Sequence, residues 1–295
     1  MDKIIKKAPV IGFVRYSQKV KFSNQEKERD VFETEYFEYR FNIFKSVTLK
    51  SFQQQTNNNF VLLLLHSENM PSHYKDRFIE LEKANSFLYN IFVKDTHEAY
   101  NEAIRSSVEY VSFEKDIVVT FRIDNDDAVQ NDFIQRLSDF LKDGFVGYSI
   151  SMPSLCIVKR ISDTSYMIEE GNYPSNTIGL AYVSNREQYK TVKELGCYHT
   201  LINVTTPMVL IAQCSARQLQ TINGENVENT INETNAKILN KEDLDKYLAE
   251  IKMENLNLDC LRIYKTNGLL KFSLKKIVKL LVPPLFIPIL KKINI

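Results

Sequence analysis

Along this chain, short apolar runs alternate with segments whose apolar positions recur every three or four residues. "APVIGFVRYS", beginning at Ala8, reads as a first strand, and from Tyr36 onward Phe37, Phe41, Phe44, Val47, Thr48 and Phe52 keep a helical spacing. "NNNFVLLLLHS" follows with an unbroken apolar run and no alternation. Such a run suits a strand covered on both faces, as in a parallel sheet with helices above and below. "PSHYKDRFIELEKA" predicts a helix with Pro71 in its first turn, and "SFLYNIFV" a third strand. A further helix over residues 96–111 leads into "DIVVTFRI", a fourth strand. The succession predicts an α/β domain built on a mostly parallel sheet flanked by helices.

Beyond residue 140 the pattern is less regular. "GFVGYSISM" and "SLCIVKRI" are expected to pair as antiparallel strands across Pro153 and Ser154, and "TIGLAYVS" is another strand candidate. Residues 221–240, "TINGENVENTINETNAKILN", are rich in asparagine and read as a mobile loop or linker. The expected organisation is therefore a catalytic domain over 1–220, the linker over 221–240, and a small helical C-terminal region over 241–295.

Composition adds limits. With 295 residues, 44% of them hydrophobic and 25% charged, the chain is ordinary globular material with enough apolar content for a sizeable core. Cys156, Cys197, Cys214 and Cys260 form no CxxC pair, so neither a structural zinc nor a redox couple is implied. The opening "MDKIIKKAPVIGFVRYS" is broken by Pro9, Gly12 and Arg15, unlike a secretory signal, and a cytoplasmic protein is expected.

The charge is unevenly placed: eight of the 38 basic residues and none of the 37 acidic ones lie beyond residue 261. In "GLLKFSLKKIVKLLVPPLFIPILKKINI", Lys271, Lys275, Lys276 and Lys279 fall on one arc of a helix, opposite Leu270, Leu274, Ile277 and Leu281. The longest uncharged run, Leu280 to Leu290, contains three prolines and falls far short of the roughly 20 apolar residues that span a bilayer. A basic amphipathic helix of this kind either packs on its own domain or lies on an anionic membrane surface. Nucleic acid is not the expected partner, because the body is acidic and the lysines alternate with aliphatic rather than aromatic residues.

The candidate chemistry lies in "TFRIDNDDAVQNDFI", where Asp124, Asp126 and Asp127 fall at the carboxyl end of the fourth predicted strand. Open α/β sheets bind ligands at that edge. Ionised carboxylates this close repel each other, and a divalent cation relieves the repulsion while its other positions hold waters and phosphate oxygens. A plainer reading makes Asp126 or Asp127 the cap of a helix starting near Ala128. An EF-hand is excluded, since Val129 and Gln135 stand where its glycine and glutamate belong. No G-x-x-x-x-G-K-[ST] or G-x-G-x-x-G occurs, which sets aside P-loop hydrolysis and dinucleotide redox chemistry. Glycosyl transfer from a nucleotide-diphosphate sugar remains. It needs a metal for the leaving diphosphate and, if configuration inverts, a carboxylate to deprotonate the acceptor.

"YRFNIFKSVTLKSFQQQTNNNFVLLLL" followed by "TFRIDNDDAVQNDFI" resembles the bacterial rhamnosyltransferase family, through Arg40, Phe41, Ser51, Gln55, Thr56, Thr120, Arg122, Asp124, Asp126 and Asp127. The resemblance implies a GT-A-like, Rossmann-like fold and a donor such as dTDP-rhamnose. On this reading Asp124 and Asp126 bridge a divalent cation, Mn2+ or Mg2+, to the donor diphosphate, and Asp127 supports them or caps the next helix. Arg15 and Arg122 are the expected donor contacts, with a structural ion pair as the alternative for each. Arg40, a single arginine on a helix, is expected to be solvated; His199 is a candidate distal metal ligand. Glu170 is the candidate base, with Glu169 and Asp163 as competitors. The function expected is a metal-dependent hexosyltransferase, peripheral to the inner membrane, that extends a lipid-linked surface glycan. A catalytically silent, membrane-associated binding module on the same fold is the rival.

Overall fold

A computed structural model describes residues 8–17, 30–110, 116–173, 178–185, 208–210, 217–222 and 236–264. Its first half follows the predicted alternation. Strand β1 (Val10–Arg15) leads through helix α1 (Thr34–Ile43), a π-helical turn (Phe44–Thr48) and helix α2 (Leu49–Gln53) to β2 (Phe60–Ser67). Then come α3 (Ser72–Ala84), β3 (Leu88–Val93), α4 (His97–Tyr110) and β4 (Ile117–Ile123). All residues of β2 are buried, as its unbroken apolar run requires.

The later strands are β5 (Ala128–Val129), β6 (Ser149–Ser151), β7 (Ser154–Arg160), β8 (Ser165–Asn172), β9 (Ala181–Asn185), β10 (Met208–Leu210), β11 (Arg217–Ile222) and β12 (Lys237–Asn240). Helices α5 (Phe133–Ser138) and α6 (Lys241–Glu250) complete the elements that matter here. A seven-stranded sheet runs in the order β10-β6-β9-β4-β1-β2-β3, and β9 is its one antiparallel strand. To this extent the mostly parallel expectation holds. A second, mixed sheet of five strands, β12-β8-β7-β11-β5, was not anticipated. The proposed hairpin across Pro153 does not form: β6 belongs to the first sheet, and β7 turns into the second to pair with β8 and β11.

Period-two alternation in the strands sorts their side chains between layers. Val10, Val14, Leu62, Leu64, Val119 and Phe121 pack with Phe37, Phe41, Phe44, Phe52, Tyr74 and Phe78 of the helices on one face. Ile11, Phe13, Val61, Leu63, Leu65 and Val118 pack with Tyr100 and Ile104 of α4 on the other. The second sheet adds Leu155, Ile157 and Met167 to the first of these cores. Its opposite face, with Cys156, Val158, Tyr166, Ile168 and Leu219, is covered by Leu244 and Leu248 of α6 together with Ile43 and Val47. The α1–α2 helix is thus wedged between the sheets. Of the expected linker, residues 221–222 end β11 and 237–240 form β12; residues 223–235 lie outside the described residues, as does the basic tail from 265 onward.

Candidate active site

The connection from β1 leaves toward β2, whereas α4 delivers β4 to the opposite side of β1. Connections that diverge in this way open a crevice at the carboxyl ends of the two strands, where open α/β sheets bind ligands. Val14 pairs with Ile123, so one further step brings Arg15 opposite Asp124. Arg15 through Ser17 therefore form one wall of the crevice and residues 124–127 the other.

Residues 124–127 also carry the chain from one sheet to the next, because β5 begins at Ala128 and pairs with β11. Two separate parts of the fold hold this acidic turn. The Arg40 Nη2 of α1 donates to Asn125 Oδ1 at 2.7 Å, and the Thr221 hydroxyl of β11 donates to the Asp126 carbonyl at 2.7 Å. Within the turn, the Asp127 N–H points to the Asp124 carbonyl at 3.5 Å. The expectation of a helix beginning near Ala128 is corrected: that position starts a strand, and α5 begins five residues later behind Asp132, which makes no capping bond. Asp126 and Asp127 therefore do not cap that helix. A short strand in a sheet edge overrides the local helical pattern.

Asp124 is the exposed carboxylate of the group, its side chain 43% accessible, and Arg122 Nη2 lies 2.8 Å from both of its oxygens. Asp126 is almost buried and Asp127 is buried. Burial, followed by the charges of Asp126 and Asp124, pushes the Asp127 carboxyl well above the usual carboxylate range, against a smaller opposing effect of Arg122. Asp127 Oδ1 has no hydrogen-bond partner among the described residues. Three crowded carboxylates, with Asp124 exposed at the strand end and one oxygen of Asp127 unsatisfied behind it, fit a divalent cation. Among the described residues no three His, Cys, Asp or Glu side chains form a ready-made cage. A cation here would take one or two carboxylates and complete its shell with water and phosphate oxygens, as Mg2+ commonly does.

The other sequence candidates are dispersed. Arg15 is exposed at the end of β1 and shares a sheet face with Arg122. Glu170 accepts a hydrogen bond from the Tyr247 hydroxyl of α6 at 2.6 Å; it shares β8 with Glu169, and β7 and β11 stand between that strand and β5. Glu169 points to the opposite face of β8 and is buried. Asp163 is an exposed turn residue beside Arg160. His199 lies outside the described residues.

A polar group at the ends of β1, β2 and β3 escaped the sequence reading. Ser67 Oγ donates to Asp95 Oδ2 at 2.6 Å, and Asn69 Nδ2 approaches the same oxygen at 3.3 Å. His66 sits between Ser17 Oγ (3.4 Å) and Asn90 Oδ1 (3.0 Å). Burial lowers its pKa to about 3, so the ring is neutral. The available signal was positional: in "LLLLHS" and "IFVKD" a polar residue closes an apolar run at the ligand-binding edge.

The chain is a member of the family described as "Putative rhamnosyl transferase", whose profile matches residues 9–235. No curated protein sequence matches it. Among solved structures, residues 1–349 of S. aureus TarS share 8% identity at a TM-score of 0.41, covering 72% of this chain and 60% of that one. The chain thus spans less than two thirds of that fragment. The same fragment in complex with UDP gives 12% identity and a TM-score of 0.39, with 95% and 77% covered. The inositol-1-phosphate CTP transferase from T. maritima gives 12% and 0.35, with 85% and 96% covered.

Proposed function

We propose that this protein is a metal-dependent glycosyltransferase. It moves rhamnose or another hexose from a nucleotide-diphosphate donor, dTDP-rhamnose among the candidates, to a growing lipid-linked bacterial surface glycan. The observation that carries the reading is the acidic turn. Asp124 and Asp126 stand at the carboxyl end of β4, at the topological switch point, in a turn braced by α1 and β11.

In this reading Asp124 and Asp126 would hold a Mn2+ or Mg2+ ion, whose charge would offset that of the donor diphosphate. Asp127 stays behind them and lends its carboxyl to the same field. Arg122, now paired with Asp124, and Arg15 across the crevice bind donor phosphate. Asp95, part-exposed after β3 and held by the buried Ser67 hydroxyl, seats the nucleoside through a carboxylate hydrogen bond. For an inverting transfer the acceptor proton goes to a carboxylate, and Glu169 replaces Glu170 as the better candidate. It is buried on the sheet face that carries Leu155 and Ile157, in one cross-strand row with Gln220 and Ile157.

The basic segment beyond residue 264 supports attachment to the anionic inner leaflet. No described helix is long and apolar enough to cross a membrane. Asp126→Asn tests the site. Calorimetry with Mn2+ and dTDP-rhamnose or UDP-sugars should show folded variant protein without metal-dependent donor binding, against clear binding by the unsubstituted chain. Unchanged, metal-dependent binding by the variant would remove Asp126 from the site.

A further inference from the structure

Asn125 stands between the two proposed metal ligands and is 5% exposed. Its amide nitrogen has no hydrogen-bond partner among the described residues, and its Oδ1 accepts from Arg40 Nη2 at 2.7 Å. The two residues are 85 positions apart. Arg40 is itself fixed: its Nη1 donates to the Tyr36 hydroxyl at 3.2 Å, and its guanidinium lies 5.7 Å from the ring centre of Tyr16 and 5.6 Å from that of Tyr36. Those are cation–π distances. Tyr16 follows directly on β1, so the guanidinium spans α1, the end of β1 and the acidic turn together.

From this geometry we infer that Arg40 is a positioning residue: through Asn125 it sets the backbone of residues 124–127 so that Asp124 and Asp126 are preorganised for a divalent cation. The inference rests on the glycosyltransferase reading only for the identity of what binds there. The physical case is local. A buried amide with a single described anchor takes its orientation from that anchor, and a charged donor makes the bond stronger than a neutral one would. Lysine cannot reproduce it, because one ammonium lacks the planar fork that reaches Asn125 and Tyr36 at once and stacks more weakly on tyrosine. Arg40 acts here through Asn125 and is not assigned contact with substrate.

The test combines Arg40→Lys, Arg40→Gln, Asn125→Ala and the Arg40→Gln/Asn125→Ala double variant in the full chain. Amide hydrogen exchange of the segment spanning 124–127 is read in EDTA, and the thermal shift produced by Mn2+ with UDP or dTDP is read separately. Expected are exchange about tenfold faster in that segment in each single variant, with strand β2 unchanged, and a Mn2+ midpoint about tenfold higher. The double variant should be no worse than Arg40→Gln alone, since Asn125→Ala removes only the Arg40–Asn125 bond that Arg40→Gln has already broken. Exchange and Mn2+ midpoint at the unsubstituted values in Arg40→Gln would overturn the inference, as would additive losses in the double variant. If the unsubstituted chain shows no Mn2+ response, the functional reading fails while the exchange data still decide the bracing: faster exchange supports it and unchanged exchange rejects it.

Discussion

His66 closes the apolar run of β2 yet is wholly buried, stacked on Phe92 at 5.1 Å and bonded to Asn90. Its pKa is lowered from 6.5 to about 3, chiefly by desolvation. The folded state keeps the ring neutral, whereas the unfolded chain takes up a proton near pH 6.5. The contribution to stability is therefore complete above that pH and is lost as pH falls from 6.5 toward 3. The loss from this residue has a limiting slope of about 1.4 kcal/mol per pH unit. Urea unfolding between pH 4.5 and 7.5 should show a shallower acid decline for His66→Gln, and equal slopes would place the acid sensitivity elsewhere. A single histidine inside an apolar run carries no sequence mark of this role. The same holds for Arg40: a lone arginine on a helix reads as solvated, and only the fold shows that it reaches a turn 85 positions away. The aspartates were legible because three in four positions at a strand end exceed what any cap requires.

At the scale of elements, the three strand–helix units and the fourth strand were readable because buried parallel strands are apolar throughout and the intervening helices keep their spacing. Gly12 illustrates how tightly the strands meet. A Cβ there would stand 2.3 Å from Phe121 Cζ and 2.7 Å from Leu62 Cδ1. Phe121 cannot swing away, since Phe52 stacks on it at 5.8 Å and Phe133 meets its edge at 5.1 Å. Gly12→Ala is expected to cost about 1–3 kcal/mol by overpacking, checked by chemical denaturation. The second sheet was not legible. It gathers residues 128–129, 154–160, 165–172, 217–222 and 237–240; the strand at 154–160 was readable, but its partners lie far away in the chain, and no local pattern encodes which distant strands pair. Without this sheet the two faces of β8, and so the opposite settings of Glu169 and Glu170, could not be told apart, because they follow only from its pairing. Glu170 is tied to Tyr247, so Glu170→Gln should leave kcat within about threefold of the unsubstituted enzyme. Glu169→Gln should lower kcat by a hundredfold or more with little change in donor affinity, in keeping with the loss of a general base. Steady-state kinetics with both variants would separate the two carboxylates, and the reverse ranking would restore Glu170.

Across the whole molecule, the acidic turn joins two sheets, and the helical end from Lys241 packs on the second of them through Leu244 and Leu248. The acidic turn, the second sheet and residues 241–261 are thereby coupled through one core. The basic tail adds a separate expectation. Each lysine near an anionic surface contributes roughly 1 kcal/mol, screened over about 8–10 Å at physiological salt, so adsorption should weaken as salt rises. Co-sedimentation with anionic vesicles should fall sharply for protein ending at Asn267, and equal binding by that protein would exclude the tail as anchor. The central claim is tested most directly by release of nucleoside diphosphate from a panel of nucleotide sugars by the full chain, with Mn2+ or with EDTA. The account predicts release from at least one donor with Mn2+, reduced to background by EDTA and by Asp126→Asn. Binding without release from any donor, or release indifferent to EDTA, would contradict it.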